Sequence, residues 1–271
     1  KIVIRNNSEA EIENIELKLL TEPGFIKPKT WYLTALGPGQ SQIISNQDFG
    51  LDPAMLDALT EAQPAKASFS VSTTGRDIIK EVPIELLARN QWGGAGYFPQ
   101  LLCSFIQPND GAIEKILRVA SENLRASGHD DSLNGYTVGS KERVWQLASA
   151  IWNSIVSMNL SYALPPVSFE VSGQKIRLPK QIYENRLATC LDLTVLFAAA
   201  LEHCGLHPLV VLVKDHAFPG LWLKEQSAHT VLIDDITMLR NRVKLGEILL
   251  FEATMATHKS PRPTLRQAMA K

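Results

Sequence analysis

Leu187-Ala188-Thr189-Cys190-Leu191-Asp192-Leu193-Thr194-Val195-Leu196-Phe197-Ala198-Ala199-Ala200-Leu201 is the stretch on which the fold of the larger, C-terminal part of the chain turns. From Leu191 to Leu201 it is almost unbroken in its apolar character, which predicts a helix buried on every side rather than along one stripe. Thr189 is the natural N-cap, placing Cys190 at the positive end of that helix, where the dipole favours a thiolate. Downstream stand Asp215-His216-Ala217-Phe218 and Leu250-Phe251-Glu252-Ala253-Thr254. The order thiol, imidazole, carboxylate is the order of a nucleophile, a base and an acid that fixes the base's tautomer.

Each of the three has rivals. Cys204 lies at the other end of the same helix, beside Gly205, where the dipole opposes a thiolate, so it reads as a packing residue. His203 and His207 flank a helix end, the ordinary structural place for histidine, whereas His216 follows the apolar run Leu209 to Val213. His229 carries no comparable pattern. For the acid, Asp234 and Asp235 compete with Glu252, but Asp235 reads as the N-cap of a helical stretch from Ile236 to Val243. Glu252 instead ends the apolar strand Ile248 to Phe251. Asp192 complements the dipole and is expected to point away from the sulfur, which it would otherwise hold protonated. The Cys190 N–H, unpaired at the helix start, is one oxyanion donor; Gln181 or Tyr183 is the candidate for the other. Arg177 and Lys180 read as a solvated surface before the helix.

These blocks carry a resemblance. The Ala-Thr-Cys-Leu-Asp-Leu helix start, Glu202-His203-Cys204-Gly205-Leu206-His207-Pro208 leading into a strand, the His-Ala-aromatic segment and the carboxylate-x-Thr resemble the core of the transglutaminase-like, papain-fold superfamily. More narrowly, Gly173-Gln174-Lys175-Ile176-Arg177-Leu178-Pro179 together with His216-Ala217-Phe218-Pro219-Gly220-Leu221-Trp222-Leu223 is similar to a domain embedded in large bacterial helicase and endonuclease proteins, some linked to phage defence. The resemblance covers roughly residues 96 to 271. It implies Cys190 as nucleophile, His216 as base and Glu252 as orienting acid, acting on a protein or peptide substrate by acyl transfer or amide hydrolysis. It also implies other domains of one larger chain as partners, and an inactive docking module in a nucleic-acid-processing assembly as the alternative. The chain departs from the pattern in having Glu252-Ala253-Thr254 for Asp-Pro-Thr and His216-Ala217-Phe218 for His-Ala-Trp.

The N-terminal part reads differently. Ile2 to Arg5, Ile15 to Leu20, Trp31 to Thr34, Gln42 to Ser45, Ala67 to Ser72 and Ile78 to Leu87 are short strand candidates separated by turns such as Pro23-Gly24 and Gly37-Pro38-Gly39, a spacing that predicts a small antiparallel β-sandwich. One helix is expected within it, from Asp52 as N-cap to about Ala62, ended by Pro64. The Gly-rich joint Trp92-Gly93-Gly94-Ala95-Gly96 reads as a hinge, which places the domain boundary near residue 92: a β-sandwich over 1–92 and an α+β transglutaminase-like domain over 93–271. In the latter, helices are expected at Gly111 to Ser127 and Ser140 to Met158, a hairpin over Ser168 to Val171 and Gln174 to Ile176, and an exposed, mobile loop from Gly128 to Gly139. Pro219 predicts an edge or bulge in its strand.

Bulk properties narrow the function classes. Hydrophobic residues make up 45% and charged residues 20% of the 271, enough to bury a core. A net charge of -1 gives no electrostatic footprint for nucleic acid or an anionic membrane, so neither is an expected partner. Three cysteines without metal-like spacing argue for reduced thiols and a cytoplasmic setting. There is no phosphate-binding Gly-Lys-Ser/Thr loop, no dinucleotide Gly-x-Gly-x-x-Gly after a strand and no zinc spacing, so no cofactor is expected. The opening Lys1-Ile2-Val3-Ile4, without an initiating Met, reads as mid-strand in an excised piece of a longer protein.

Overall fold

The Cys190 helix runs from Cys190 to His203 and every residue from Cys190 to Leu201 is buried. A computed structural model describes residues 2–45 and 47–269. With 33% helix and 29% strand the protein is mixed α+β, and the chain divides into two units, residues 1–89 and 90–271.

The first unit comprises β1 (Ile2–Arg5), β2 (Ile12–Glu22), β3 (Lys29–Leu36), β4 (Ser41–Ile44), α1 (Pro53–Asp57), β5 (Gln63–Thr73) and β6 (Arg76–Leu86). β1 pairs antiparallel with β4, while β3-β2-β5-β6 form a four-stranded antiparallel sheet. Alternation drives it: Ile15, Leu17 and Leu19 of β2 point inwards and are buried. Asp52 caps α1, accepting from the Met55 N–H at 3.0 Å, but the helix is shorter than expected. Its continuation is broken because the Leu59 carbonyl accepts from the Arg89 N–H at 2.9 Å, while Leu59 packs with Phe25, Ala65 and Leu86. Pro64 therefore does not end a helix. It stands in β5 beyond the Lys66 to Glu22 end of the β2 pairing, where a missing donor costs no ladder bond.

The second unit comprises β7 (Gln91–Trp92), α2 (Gly111–Ala126), α3 (Lys141–Ser157), β8 (Ser161–Tyr162), α4 (Phe169–Ser172), β9 (Gln174–Lys175), α5 (Pro179–Asn185), β10 (Leu187–Ala188), α6 (Cys190–His203), β11 (Pro208–Val213), β12 (His216–Trp222), α7 (Ile236–Lys244) and β13 (Ile248–Leu250). Short 3₁₀ turns lie at Pro99–Phe105 and Ala253–Thr257. Around α6 the side chains of α2, α3 and the β11-β12-β13 sheet form one core. At its centre Trp152 stacks on Phe197 with centroids 5.5 Å apart, and Phe251 meets both rings edge-on. The Trp152 Nε1–H donates to the Pro263 carbonyl at 2.8 Å, so this large ring is buried without an orphaned donor.

Four local expectations are corrected. The glycine joint is not a free hinge: β7, just before it, pairs antiparallel with β9 within the second unit. A Cβ on Gly94 would lie 2.0 Å from the Val171 carbonyl oxygen and one on Gly173 1.9 Å from that of Trp92, so these glycines permit interlocking backbones. The expected hairpin over 168–176 is absent, since Ser168 takes φ 56 and the chain turns into α4, sending Gln174 to β7. The 128–139 loop is pinned, with the Tyr136 hydroxyl donating to the Trp222 carbonyl at 2.7 Å and accepting from the His207 N–H at 3.1 Å. Finally, Pro219 lies in the middle strand β12; its carbonyl accepts from the Phe251 N–H, so its missing donor falls on the side where β13 has already ended at Leu250.

Gly173→Ala is expected to destabilise the second unit by more than about 2 kcal/mol, through positive φ plus a backbone clash. Gly139→Ala, with φ 68 and nothing within 4 Å, should cost only about 1 kcal/mol. Urea melts of the two variants check the contrast.

Candidate functional site

The start of α6 is held by a capping box. Thr189 Oγ1 accepts from the Asp192 N–H at 3.2 Å, and Asp192 Oδ2 accepts from the Thr189 N–H at 2.8 Å. Asp192 is fully buried, and its carboxylate also accepts from the Arg177 N–H at 2.8 Å and from Arg177 Nη1 at 2.9 Å. Arg177 is thus no bystander on a solvated surface. It neutralises the one buried carboxylate of the helix start, and these bonds commit Asp192 to the cap. The sequence signal was the Arg177–Asp192 charge pair flanking the cap, which spacing alone could not join.

Cys190 is 0% exposed. It packs with Phe169, Ile176, Leu191 and Ala217, so its wall is apolar. Burial pushes the thiol above its ordinary value, and the charge of Glu252 adds to this. Against burial stand the Ala217 N–H, the Tyr162 hydroxyl and the Leu191 N–H, whose polarity favours the thiolate. Burial wins in the resting state, which corrects the expectation of a thiolate favoured by the helix end alone. Cys204 has burial and no such donors, and its thiol is pushed up to about 12.

The imidazole and the acid meet directly. His216 Nε2 lies 2.6 Å from Glu252 Oε2. A carboxylate only accepts, so Nε2 carries the hydrogen and Nδ1 is left as the acceptor. Glu252 Oε1 in turn accepts from the Thr254 N–H at 2.9 Å and the Thr254 hydroxyl at 2.7 Å. Burial opposes ionisation of Glu252, but the Thr254 bonds and the His216 partner outweigh it and hold the carboxyl below its ordinary range. The rivals are accounted for. Asp235 caps α7 through the Thr237 and Met238 N–H groups, Asp234 is exposed, His203 binds the Pro108 carbonyl, His207 the Gln226 carbonyl, and His229 is exposed.

His216 opens β12, and the next residue, Ala217, packs with Cys190 in one buried cluster. The two oxyanion candidates upstream fall elsewhere: Gln181 Oε1 accepts from the Leu178 N–H inside α5, and the Tyr183 ring lies between Lys115 and Arg186. The residue sequence reasoning missed is Tyr162. β8 pairs in parallel with β10, placing Tyr162 opposite Ala188, two residues before Cys190. Burial first, and then the neighbouring Cys190 and Glu252, push its hydroxyl up to about 12, so it stays protonated. Two-residue strands carry too little periodicity to reveal this from sequence.

Among the described residues no group of three or more His, Cys, Asp or Glu side chains is gathered as a metal would need, and no helix is long and apolar enough to cross a membrane. No protein-family model, curated protein or solved structure matches the chain.

Because only the thiolate is alkylated, iodoacetamide labelling of Cys190 should keep rising beyond pH 9.0, the ordinary thiol value, while Cys204 rises only towards about 12. Tyr162→Phe should move the Cys190 midpoint higher still, by loss of a donor, yet raise the limiting rate of the freed thiolate. Peptide-level mass spectrometry across pH reads both. An unmoved midpoint would show that the hydroxyl does not act on the sulfur.

Proposed function

We propose that residues 90–271 form a transglutaminase-like, papain-like domain that performs thiol-dependent acyl transfer or amide hydrolysis through Cys190, His216 and Glu252, and that the N-terminal unit is a small β-sandwich serving to position or recognise. The observation that carries this reading is the 2.6 Å bond from His216 Nε2 to Glu252, His216 opening a strand whose next residue, Ala217, packs with Cys190. A structural histidine has no need of an acid that is itself clamped by two Thr254 donors.

The chemistry follows in two steps. His216 Nδ1 takes the thiol proton as the sulfur attacks the carbonyl carbon of an amide, forming the C–S bond and a tetrahedral oxyanion. The Cys190 N–H and the Tyr162 hydroxyl are the donors for that oxyanion. Collapse breaks the C–N bond, the imidazolium gives its proton to the leaving amine, and a thioester remains. Water or a second amine, deprotonated by His216, then attacks the thioester and returns the thiol. Glu252 stays ionised throughout and stabilises the imidazolium. The substrate on this reading is a protein or peptide, and the domain is a module of a larger helicase-related chain.

Full burial of Cys190 favours a second reading, a docking module that keeps the fold without the chemistry. p-Nitrophenyl acetate separates the two. The enzyme reading predicts a burst of nitrophenolate, a hydroxylamine-labile acetyl group on Cys190, and losses on the order of 10²–10⁴-fold in His216→Ala. Glu252→Gln should keep the melting transition yet acylate slowly, with Glu252→Asp closer to wild type. Acetylation that is equally fast in His216→Ala supports the docking module.

A further inference from the structure

The segment Ala163-Leu164-Pro165-Pro166-Val167 is tied at its two ends to residues next to Cys190 and next to His216, and its tethers are unusual. The Ala163 N–H donates to the Ala188 carbonyl at 2.9 Å, two residues before Cys190. At the other end the Ser168 N–H donates to Asp215 Oδ1 at 3.0 Å, one residue before His216. Ser168 and Asp215 both sit at φ 56, a conformation that costs non-glycine residues on the order of 1 kcal/mol each and persists only where surroundings impose it. Just before the segment, Tyr162 pairs with Ala188, two residues before Cys190; just after it, Phe169 is buried in the cluster that contains Cys190 and Ala217. The segment is therefore anchored at both ends to the site itself.

Leu164 and Val167, which lie between those anchors, are 86% and 87% exposed, the most exposed large apolar side chains among the described residues. Two adjacent prolines fix φ through the middle of the segment, so little backbone freedom remains to be lost when something packs on it. Apolar side chains held this rigidly in water beside a reactive pair are the marks of a recognition rim rather than of a misplaced core.

We infer that Leu164 and Val167 are the specificity rim of the site, and that its substrate is a polypeptide with apolar side chains flanking the reacting amide. The inference rests on the acyl-transfer reading above and adds the substrate class. Leu164, next to the Cys190 tether, faces the acyl portion that becomes the thioester. Val167, next to the His216 tether, faces the departing amine that the imidazole protonates.

Two peptide chloromethyl ketones of equal length test this, acetyl-Leu-Leu-Ala and acetyl-Ser-Ser-Ala, each of which alkylates a cysteine with loss of chloride. Iodoacetamide serves as the small control. With the full chain, Cys190 should be alkylated about tenfold or more faster by the leucine reagent. Leu164→Ser should remove most of that preference and Val167→Ser little of it, with the iodoacetamide rate and the melting temperature unchanged in both. Equal rates for the two reagents in the wild type, or a preference that survives Leu164→Ser, would overturn the rim. A loss of equal size in Val167→Ser overturns the assignment of sides. Cys190 that resists all three reagents up to high pH overturns the acyl-transfer reading itself, a result distinct from equal rates.

Discussion

The bond between His216 Nε2 and Glu252 is the constraint on which the functional geometry depends. It fixes which ring nitrogen carries hydrogen, and so which one is free to accept a proton. The fold is arranged to keep it. Glu252 follows two residues after the third strand of the β11-β12-β13 sheet and caps a 3₁₀ turn, where Thr254 clamps the second carboxylate oxygen. His216 opens the middle strand of that sheet, and α6 packs its thiol end against the same strand. Phe251, the neighbour of Glu252, meets the stacked Trp152 and Phe197 rings edge-on in the core. The acid is thus held by packing on one side and by hydrogen bonds on the other.

The thiol is balanced between opposed effects. Burial in an apolar wall raises its pKa, while the Ala217 N–H, the Tyr162 hydroxyl and the Leu191 N–H favour the charge.

Much of this was legible in the sequence because it is local or strongly patterned. The all-round apolar run with Thr189 ahead of it specifies the buried helix and its cap. The apolar strands that place His216 and Glu252 are marked by composition, and Asp235 and His207 declare their structural uses by position. What escaped depends on contacts distant in sequence. Gln174 pairs with Trp92 across more than eighty residues, so Gly94 and Gly173 read as a hinge and a hairpin turn when each is a point of backbone approach. Arg177 looks solvated until Asp192 is folded beside it, and Tyr162 sits on a two-residue strand whose partner is set only by the fold. In the N-terminal unit the helix ended early for the same reason, a distant N–H claiming the Leu59 carbonyl.

The most direct test of the central arrangement is the ¹⁵N NMR spectrum of the His216 ring in histidine-labelled protein near neutral pH. The account predicts a hydrogen on Nε2, a bare Nδ1, and an Nδ1 resonance that shifts when Cys190 is replaced by Ser. A hydrogen on Nδ1, or an Nδ1 resonance indifferent to Cys190→Ser, would contradict it.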